Sequence, residues 1–239
     1  EELIPVMSRS FLVEPERVKV WGQPRNDMLF QKMDAGEQMK NIFRGERLPE
    51  FTRLLLYAPT FRDHGETKVF PFPEFERAGR EAALKRLQEF LEKHQSMLCI
   101  RMHLYEKEGY EWLRALDHPG SRIRFLNEDR VEDIMEVLAM FDLLITDYSS
   151  IYIDYLLLER PMLFLPYDRE DYLKTRGFNF DYDEVTPGPK PKSYAEFLNS
   201  IEGLLYNEMN YVENRKKIER KFNKIQEPCS EYICRMVKE

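Results

Sequence analysis

The sequence LLITDYSSIYIDYLLLERPMLFL, residues 143–165, constrains the fold more than any other stretch of the chain. Its first four residues are apolar and predict a buried strand, and the next four predict a polar turn. Residues 151–158 carry apolar residues suited to a helix, which Arg160-Pro161 stops, and residues 162–165 predict another strand. A strand, a helix and a second strand in this order form the βαβ unit of a parallel sheet.

Three polar residues of the turn fall where a parallel sheet binds its ligands. Asp147, Ser149 and Ser150 lie at the carboxyl end of the first strand and at the N-terminus of the helix that follows. Ligands of such sheets bind beyond the carboxyl ends of the strands, and the free N–H groups of a helix N-terminus favour phosphate. The turn is therefore a candidate phosphate site. A second interpretation stays open, in which Ser149 or Ser150 only caps the helix.

Similar patterns along the chain extend this unit to an α/β domain. Together they predict a Rossmann-like parallel sheet of five or six strands with helices on both faces. We expect residues 1–50 to form a linking segment with the first strand and helix, and residues 51–239 to form the Rossmann-like ligand-binding domain. Strands are predicted at residues 16–21, 53–58, 97–102, 123–126, 143–146 and 162–165, and helices at 28–46, 75–94, 109–116, 131–140, 151–158, 169–175, 193–206 and 211–225.

Polar residues also follow the earlier predicted strands. Arg25, Arg62 and His103 come just after the first, second and third strands of the chain. Because the carboxyl ends of parallel strands share one edge of the sheet, we expect these residues to converge with the turn on one cleft. Arginine offers a planar fork for phosphate oxygens, and histidine donates a hydrogen bond or a proton. Each residue alone also fits a structural role, as a turn residue, a solvated loop charge or a hydrogen-bonded loop histidine.

Composition argues against several classes of protein. The formal net charge of −7 argues against a nucleic-acid-binding protein. The four histidines are scattered, and Asp147 and Asp154 are too far apart for a paired-carboxylate motif, so we expect no obligatory metal and no cofactor. No apolar run approaches the roughly 20 residues of a membrane span. Cys99 lies in an apolar strand pattern, and the three cysteines form no CxxC pair, as in reduced cytosolic proteins.

A series of motifs in one order resembles the CDP-glycerol glycerophosphotransferase family, the teichoic-acid polymerases and primases. The resemblance implies the C-terminal, nucleotide-binding half of an enzyme with two Rossmann domains, of the GT-B type. Such enzymes transfer glycerol phosphate or ribitol phosphate from a CDP-linked donor to a hydroxyl of a teichoic-acid-like or capsular polymer. The motifs are GQPRND at 22–27, YAPTFRD at 57–63, RMH at 101–103, ITDYSSIYIDY at 145–155, RPMLFLPYD at 160–168 and RGFNFDYDEVTPGP at 176–189.

The resemblance also implies roles for particular residues. His103 is implied as the catalytic residue, which hydrogen-bonds or protonates the diphosphate of the donor. Arg176 and Asp181 are candidates for the cytidine or glycerol end of the donor. The implied donor- and phosphate-binding residues are Arg25, Arg62, Asp147, Ser149, Ser150, Arg176 and Asp181.

Two departures from the family pattern bear on activity. The histidine-glycine-threonine motif that supplies the general base belongs to the N-terminal half of the family and is not in this chain. After His103 the chain reads Leu104-Tyr105 where the family has a proline, which affects only the local loop. The implied partners are therefore an N-terminal half, CDP-glycerol or CDP-ribitol, and a lipid-linked polyol-phosphate or glycan acceptor. The full enzyme is expected at the inner face of the cell membrane.

Two alternatives remain open from the sequence. One is a nucleotide-sugar glycosyltransferase or a UDP-sugar epimerase of the same architecture, with a different pocket for the base. The other is a non-catalytic nucleotide-binding module, because half of a two-domain enzyme can persist as a sensor.

Overall fold

The computed structural model describes residues 2–62, 67–76, 78–102, 111–207 and 211–238. Five described strands form one sheet, in the spatial order β3-β2-β1-β4-β5, and every neighbouring pair is parallel. The predicted fold class, an α/β domain with a Rossmann-like parallel sheet, is confirmed. The strands are β1 Arg53–Ala58, β2 Ser96–Ile100, β3 Ile123–Phe125, β4 Leu143–Thr146 and β5 Met162–Phe164.

Helices cover both faces of the sheet, and this explains the continuous apolar strands. In β1, Leu55 and Tyr57 pack into one core layer, whereas Leu54 and Leu56 pack into the other. A strand that is buried on both faces reads as an apolar run rather than an alternating pattern. The helices are α1 Ile4–Phe11, α2 Ala35–Ile42, α3 Arg80–Lys93, α4 Glu111–Arg114, α5 Ile151–Tyr155, α6 Arg169–Thr175, α7 Tyr182–Val185, α8 Tyr194–Leu205, α9 Val212–Phe222 and α10 Ser230–Lys238.

Two of the predicted elements in the first fifty residues are wrong. The strand expected at 16–21 is instead a 3-10 turn, Pro15–Arg17, followed by irregular chain. Val18 and Val20 line a cavity beside α1, so they do not contribute to the sheet. The long helix expected at 28–46 is shorter, because α2 begins only after Asp34, whose side chain accepts a hydrogen bond from the N–H of Glu37 at 2.9 Å. The division of the chain at residue 50 stays a prediction.

A buried ionic cluster nevertheless holds this segment against the sheet. Arg124, on the edge strand β3, is fully buried and donates to Glu46 and to Asp117, each at 2.6 Å. Its guanidinium carbon lies 3.8 Å from the centre of the Phe43 ring. The segment before β1 therefore packs as part of the same hydrophobic and ionic interior.

The helix predicted at 131–140 is also wrong. The segment forms two 3-10 turns, Ile134–Glu136 and Leu138–Met140, and the side chain of Asp133 accepts from the N–H of Met135 at 2.9 Å. Its apolar residues still pack in the core, as Leu138 shows, which is fully buried. Within the described part of the chain, no helix is long and apolar enough to cross a membrane.

Candidate functional site

A cleft of about 330 Å³ lies at the topological switch point of the sheet. The strand order reverses between β1 and β4, because β1 continues to β2 on one side whereas β4 continues to β5 on the other. Open α/β sheets bind ligands at such a point, beyond the carboxyl ends of the strands. The lining residues are Arg25, Ala58, Pro59, Arg101, Met102, Glu128, Asp133, Ile134, Met135, Ser149, Ser150, Ile151 and Asp154.

Ser149 and Ser150 lie in this cleft, as the sequence predicts. Ser150 occupies the N-cap position of α5, yet its hydroxyl makes no capping hydrogen bond within the described part of the chain. The Ser149 hydroxyl accepts from the N–H of Ile151 at 3.4 Å, which is long for a hydrogen bond. Among the described residues, neither hydroxyl therefore makes a strong capping hydrogen bond, and both lie beside the first turn of α5.

Arg25 reaches the same cleft and pairs there with Asp154. Its Nη2 donates to Oδ2 of Asp154 at 2.9 Å, and the Arg25 side chain is half-exposed. Asp154 is 2% exposed, and its Oδ1 has no hydrogen-bond partner among the described residues. Burial raises the pKa of Asp154, and the charge of Arg25 opposes that shift. A buried carboxylate oxygen without a partner is costly, so a ligand hydroxyl in the cleft would satisfy it.

Asp154 is a cleft residue that the sequence analysis did not single out as a candidate. A usable signal was present, since residues four apart share one face of a helix and Asp154 is four residues after Ser150.

Asp147 is an internal brace in the structure rather than an exposed group. It is 1% exposed, and its Oδ1 accepts from the N–H and the hydroxyl of Thr60 at 2.8 and 2.6 Å. Its Oδ2 accepts from Nη2 of Arg62 at 2.8 Å. The carboxylate thus joins the residues that follow β4 to those that follow β1.

Arg62 is held by two carboxylates behind the cleft. Besides Asp147, it donates to both oxygens of Asp168 at 2.7 and 2.9 Å, and its Nη1 donates to the carbonyl oxygen of Thr60 at 2.6 Å. Burial disfavours its charge, but Asp168 and Asp147 outweigh burial and raise the pKa of Arg62. Its guanidinium also lies 5.1 to 5.5 Å from the ring centres of three tyrosines. These are Tyr148, Tyr167 and Tyr172.

Arg62 and Asp147 therefore shape the turn that carries the serines. A direct contact of either residue with a donor phosphate stays a prediction.

Arg176 and Asp181 lie outside the lining of the cleft. Arg176 is exposed and lines a smaller pocket of about 60 Å³, together with Arg62 and Asp168. Asp181 caps α7, because its Oδ1 accepts from the N–H groups that follow it at 2.8 and 3.3 Å. His103 lies outside the described residues, so its proposed role stays a prediction.

Arg101 is a second cleft residue that sequence reasoning missed. Its Nη1 donates to the carbonyl oxygens of Leu126, at 2.7 Å, and of Val131, and its Nη2 donates to that of Glu132 at 3.0 Å. Arg101 thereby fixes the segment that forms one wall of the cleft to the end of β2. Its sequence signal was its place in the RMH motif at 101–103, within the strand predicted at 97–102.

A doubly wound parallel sheet, with arginines, serines and a buried carboxylate at its switch point, defines a Rossmann-like ligand-binding domain. The chain belongs to the CDP-glycerol:poly(glycerophosphate) glycerophosphotransferase family, whose model matches residues 1–239. Family membership predicted from the motifs is thus confirmed.

Relatives and a solved structure agree with this assignment. The chain is 31% identical over 206 residues to the teichoic acid ribitol-phosphate polymerase TarK of Staphylococcus aureus, covering 85% of this chain and 37% of that protein. It is 32% identical to a teichoic acid glycerol-phosphate primase of Bacillus spizizenii, covering 79% of this chain and 44% of the primase. The structure of the wall teichoic acid polymerase TagF superposes with a TM-score of 0.74 at 28% identity, covering 100% of this chain and 55% of TagF. The chain therefore spans about half or less of these proteins.

Proposed function

We propose that this chain is the donor-binding half of an enzyme that transfers glycerol phosphate or ribitol phosphate from a CDP-linked donor. The acceptor is a hydroxyl of a teichoic-acid-like or capsular polymer. The observation that carries the proposal is the switch-point cleft, which combines Arg25 and the Ser149–Ser150 turn with Oδ1 of Asp154, an oxygen that has no hydrogen-bond partner among the described residues. A diphosphate needs positive charge and N–H donors, and a polyol or ribose needs hydrogen-bond acceptors. The cleft offers both.

The chemistry that fits this arrangement is a displacement at the β-phosphorus of the donor. The acceptor oxygen forms a bond to that phosphorus, the bond to the bridging oxygen breaks, and CMP leaves with the electron pair. Arg25 and the first N–H groups of α5 stabilise the charge that develops on the diphosphate. His103 donates a hydrogen bond or a proton to the diphosphate of the donor, at the oxygen that leaves with CMP. Asp154 accepts a hydrogen bond from a hydroxyl of the donor and so orients the donor.

The proton of the acceptor hydroxyl must go to a base outside the motifs of this chain. We infer that the N-terminal half of a two-domain GT-B enzyme supplies that base and closes over the cleft. Support comes from the relatives, which extend well beyond the region that this chain matches. A lipid-linked acceptor would place the complete enzyme at the inner face of the cell membrane.

Isothermal titration of the chain with CDP-glycerol, CDP-ribitol and UDP-GlcNAc tests the proposal. We expect binding of at least one CDP-alditol and weaker binding of UDP-GlcNAc. A solved structure of a TagF variant was obtained after soaking with CDPG, which makes CDP-glycerol the first ligand to test. Tighter binding of UDP-GlcNAc would instead favour a nucleotide-sugar enzyme. Donor binding without turnover, even after an N-terminal half is added, would favour a non-catalytic module.

A further inference from the structure

A second groove of about 300 Å³ lies beside the loop that follows β1. Aromatic side chains form its floor, and three of them, Phe70, Phe72 and Phe75, are buried in one core layer of the domain. Charged and aromatic residues, including Lys68, Arg80 and Trp112, form its rim. We call this surface the loop groove, and its lining is Thr67, Lys68, Val69, Phe70, Pro71, Phe72, Pro73, Phe75, Glu76, Arg80 and Trp112.

Among the described residues, the rim of the loop groove carries two cations, Lys68 and Arg80, against the one carboxylate of Glu76. Arg80 lies over the Trp112 ring, with its guanidinium carbon 4.2 Å from the ring centre. Its Nε donates to the carbonyl oxygen of Phe75 at 3.1 Å, which fixes the plane of the guanidinium. Lys68 is exposed, as is Glu76. This local excess of positive charge stands on a chain whose net charge is −7, so it favours anions at one place on the surface.

The loop groove is also linked by contacts to Arg62, which braces the turn of the proposed donor site. The N–H of Lys68 donates to the Tyr167 hydroxyl at 2.9 Å, and the Tyr167 ring lies against Arg62 at 5.2 Å. The floor of the groove belongs to one core layer, whereas Met135 and Ile151 of the cleft belong to the other. The groove and the cleft thus lie on either side of the segment that follows β1.

We propose that the loop groove binds the growing polyol-phosphate chain of the acceptor, an inference that rests on the proposed function. A transferase that extends a polymer must hold earlier units of the chain while the terminal hydroxyl enters the donor cleft. A phosphodiester of such a unit pairs with Lys68 and Arg80. The carbon backbone of the polyol packs on Trp112 and on the rings of Pro71 and Pro73. The groove thus combines charged and apolar side chains, as a polyol-phosphate chain combines phosphates and carbon backbones.

Intrinsic fluorescence of Trp112 gives a direct test of binding. The chain has two tryptophans, so a Trp21→Phe background leaves Trp112 as the only tryptophan reporter. A synthetic glycerol-phosphate oligomer is titrated into this protein and into the same protein carrying Lys68→Glu and Arg80→Gln. We expect the double substitution to weaken oligomer binding at least about tenfold, and the affinity of the parent to fall with added salt. Lys85→Glu, on the same helix as Arg80 but exposed outside the groove, is the matched control and should bind like the parent.

Further measurements separate this inference from the proposed function. CDP-glycerol binding should be unchanged in the double variant, because the groove lies outside the donor cleft. If the parent binds the oligomer but no CDP-linked donor, the proposed function fails and the groove stands. Equal oligomer affinity of the double variant and the Lys85→Glu control would overturn the inference. Competition by inorganic phosphate as strong as that of the oligomer would also overturn it. If Arg80→Gln lowers the melting temperature, Lys68→Glu alone decides the result.

Discussion

Replacing Asp147 with Asn should destabilise the domain strongly, although the two side chains have nearly the same shape. Asp147 and Arg62 are both buried, and the substitution exchanges the oxygen that accepts from Arg62 for an NH₂ group. The new NH₂ group and Nη2 of Arg62 are both donors, and they face each other where Nη2 donated to Oδ2 of Asp147 at 2.8 Å. Removing one partner of a buried ion pair costs about 3–5 kcal/mol. We expect the lower end, about 3 kcal/mol, because Asp168 still pairs with Arg62 and the remaining oxygen still accepts from Thr60.

Urea unfolding followed by circular dichroism measures this loss. For a chain of this size, about 3 kcal/mol corresponds to a melting temperature lower by roughly 6–12 °C. Asp181→Asn is the matched control, because Asn is an equally good helix cap and this carboxylate is exposed. Combining Asp147→Asn with Arg62→Gln should cost less than the sum of the two substitutions, with a coupling of about 0.5–3 kcal/mol. If Asp147→Asn unfolds at the same urea concentration as Asp181→Asn, the buried pair does not brace the turn and this reasoning is refuted.

Three further results are expected. Ser149→Ala and Ser150→Ala should each melt close to the temperature of the parent. At least one of them should lose about ten- to hundredfold in affinity for CDP-glycerol, measured by calorimetry. A loss of stability without a loss of affinity would restore the capping interpretation. Because burial raises the pKa of Asp154, its contribution to stability is complete below the ordinary pKa of an aspartate and is lost as pH rises through the raised value. Asp154→Asn should therefore flatten the fall in stability between the ordinary and the raised pKa, and an unchanged profile of urea midpoint against pH would contradict the assignment. The chain alone should bind a CDP-linked donor without forming polymer, and polymer made by the purified chain would place the base within it.

The sheet was predictable from sequence where burial alone decides the structure. β1 and β4 begin and end at the predicted residues, because continuous apolar runs of this length fit only a strand covered on both faces. The segments at 16–21 and 131–140 failed for a different reason. Their apolar spacing records which side chains are buried, and a 3-10 turn or an irregular chain can bury the same residues.

The candidate site was predictable in position but not in its internal pairing. Placing Ser149 and Ser150 at this edge required only the rule for strand ends in a parallel sheet. Arg25 also lies there, although the strand predicted before it is instead a 3-10 turn followed by irregular chain. The pairing of Arg62 with Asp168 joins residues 106 positions apart, and no local pattern carries that information. Arg101 was missed for the same reason, since its carbonyl partners are 25 to 31 residues further along the chain.

Arg25 and Arg62 differ in which hydrogen-bonding groups they leave for a ligand. Arg62 is buried and directs its Nε, Nη1 and Nη2 atoms to carboxylates and a carbonyl, so binding a phosphate directly would break existing charged contacts. Arg25 is half-exposed and contacts a carboxylate whose second oxygen has no partner in the described part of the chain. A ligand that meets Arg25 and Asp154 therefore gains hydrogen bonds without displacing any. We therefore propose that recognition of the donor falls to Arg25, Asp154 and the serine turn, while Arg62 and Asp147 keep that turn in one conformation before the donor arrives.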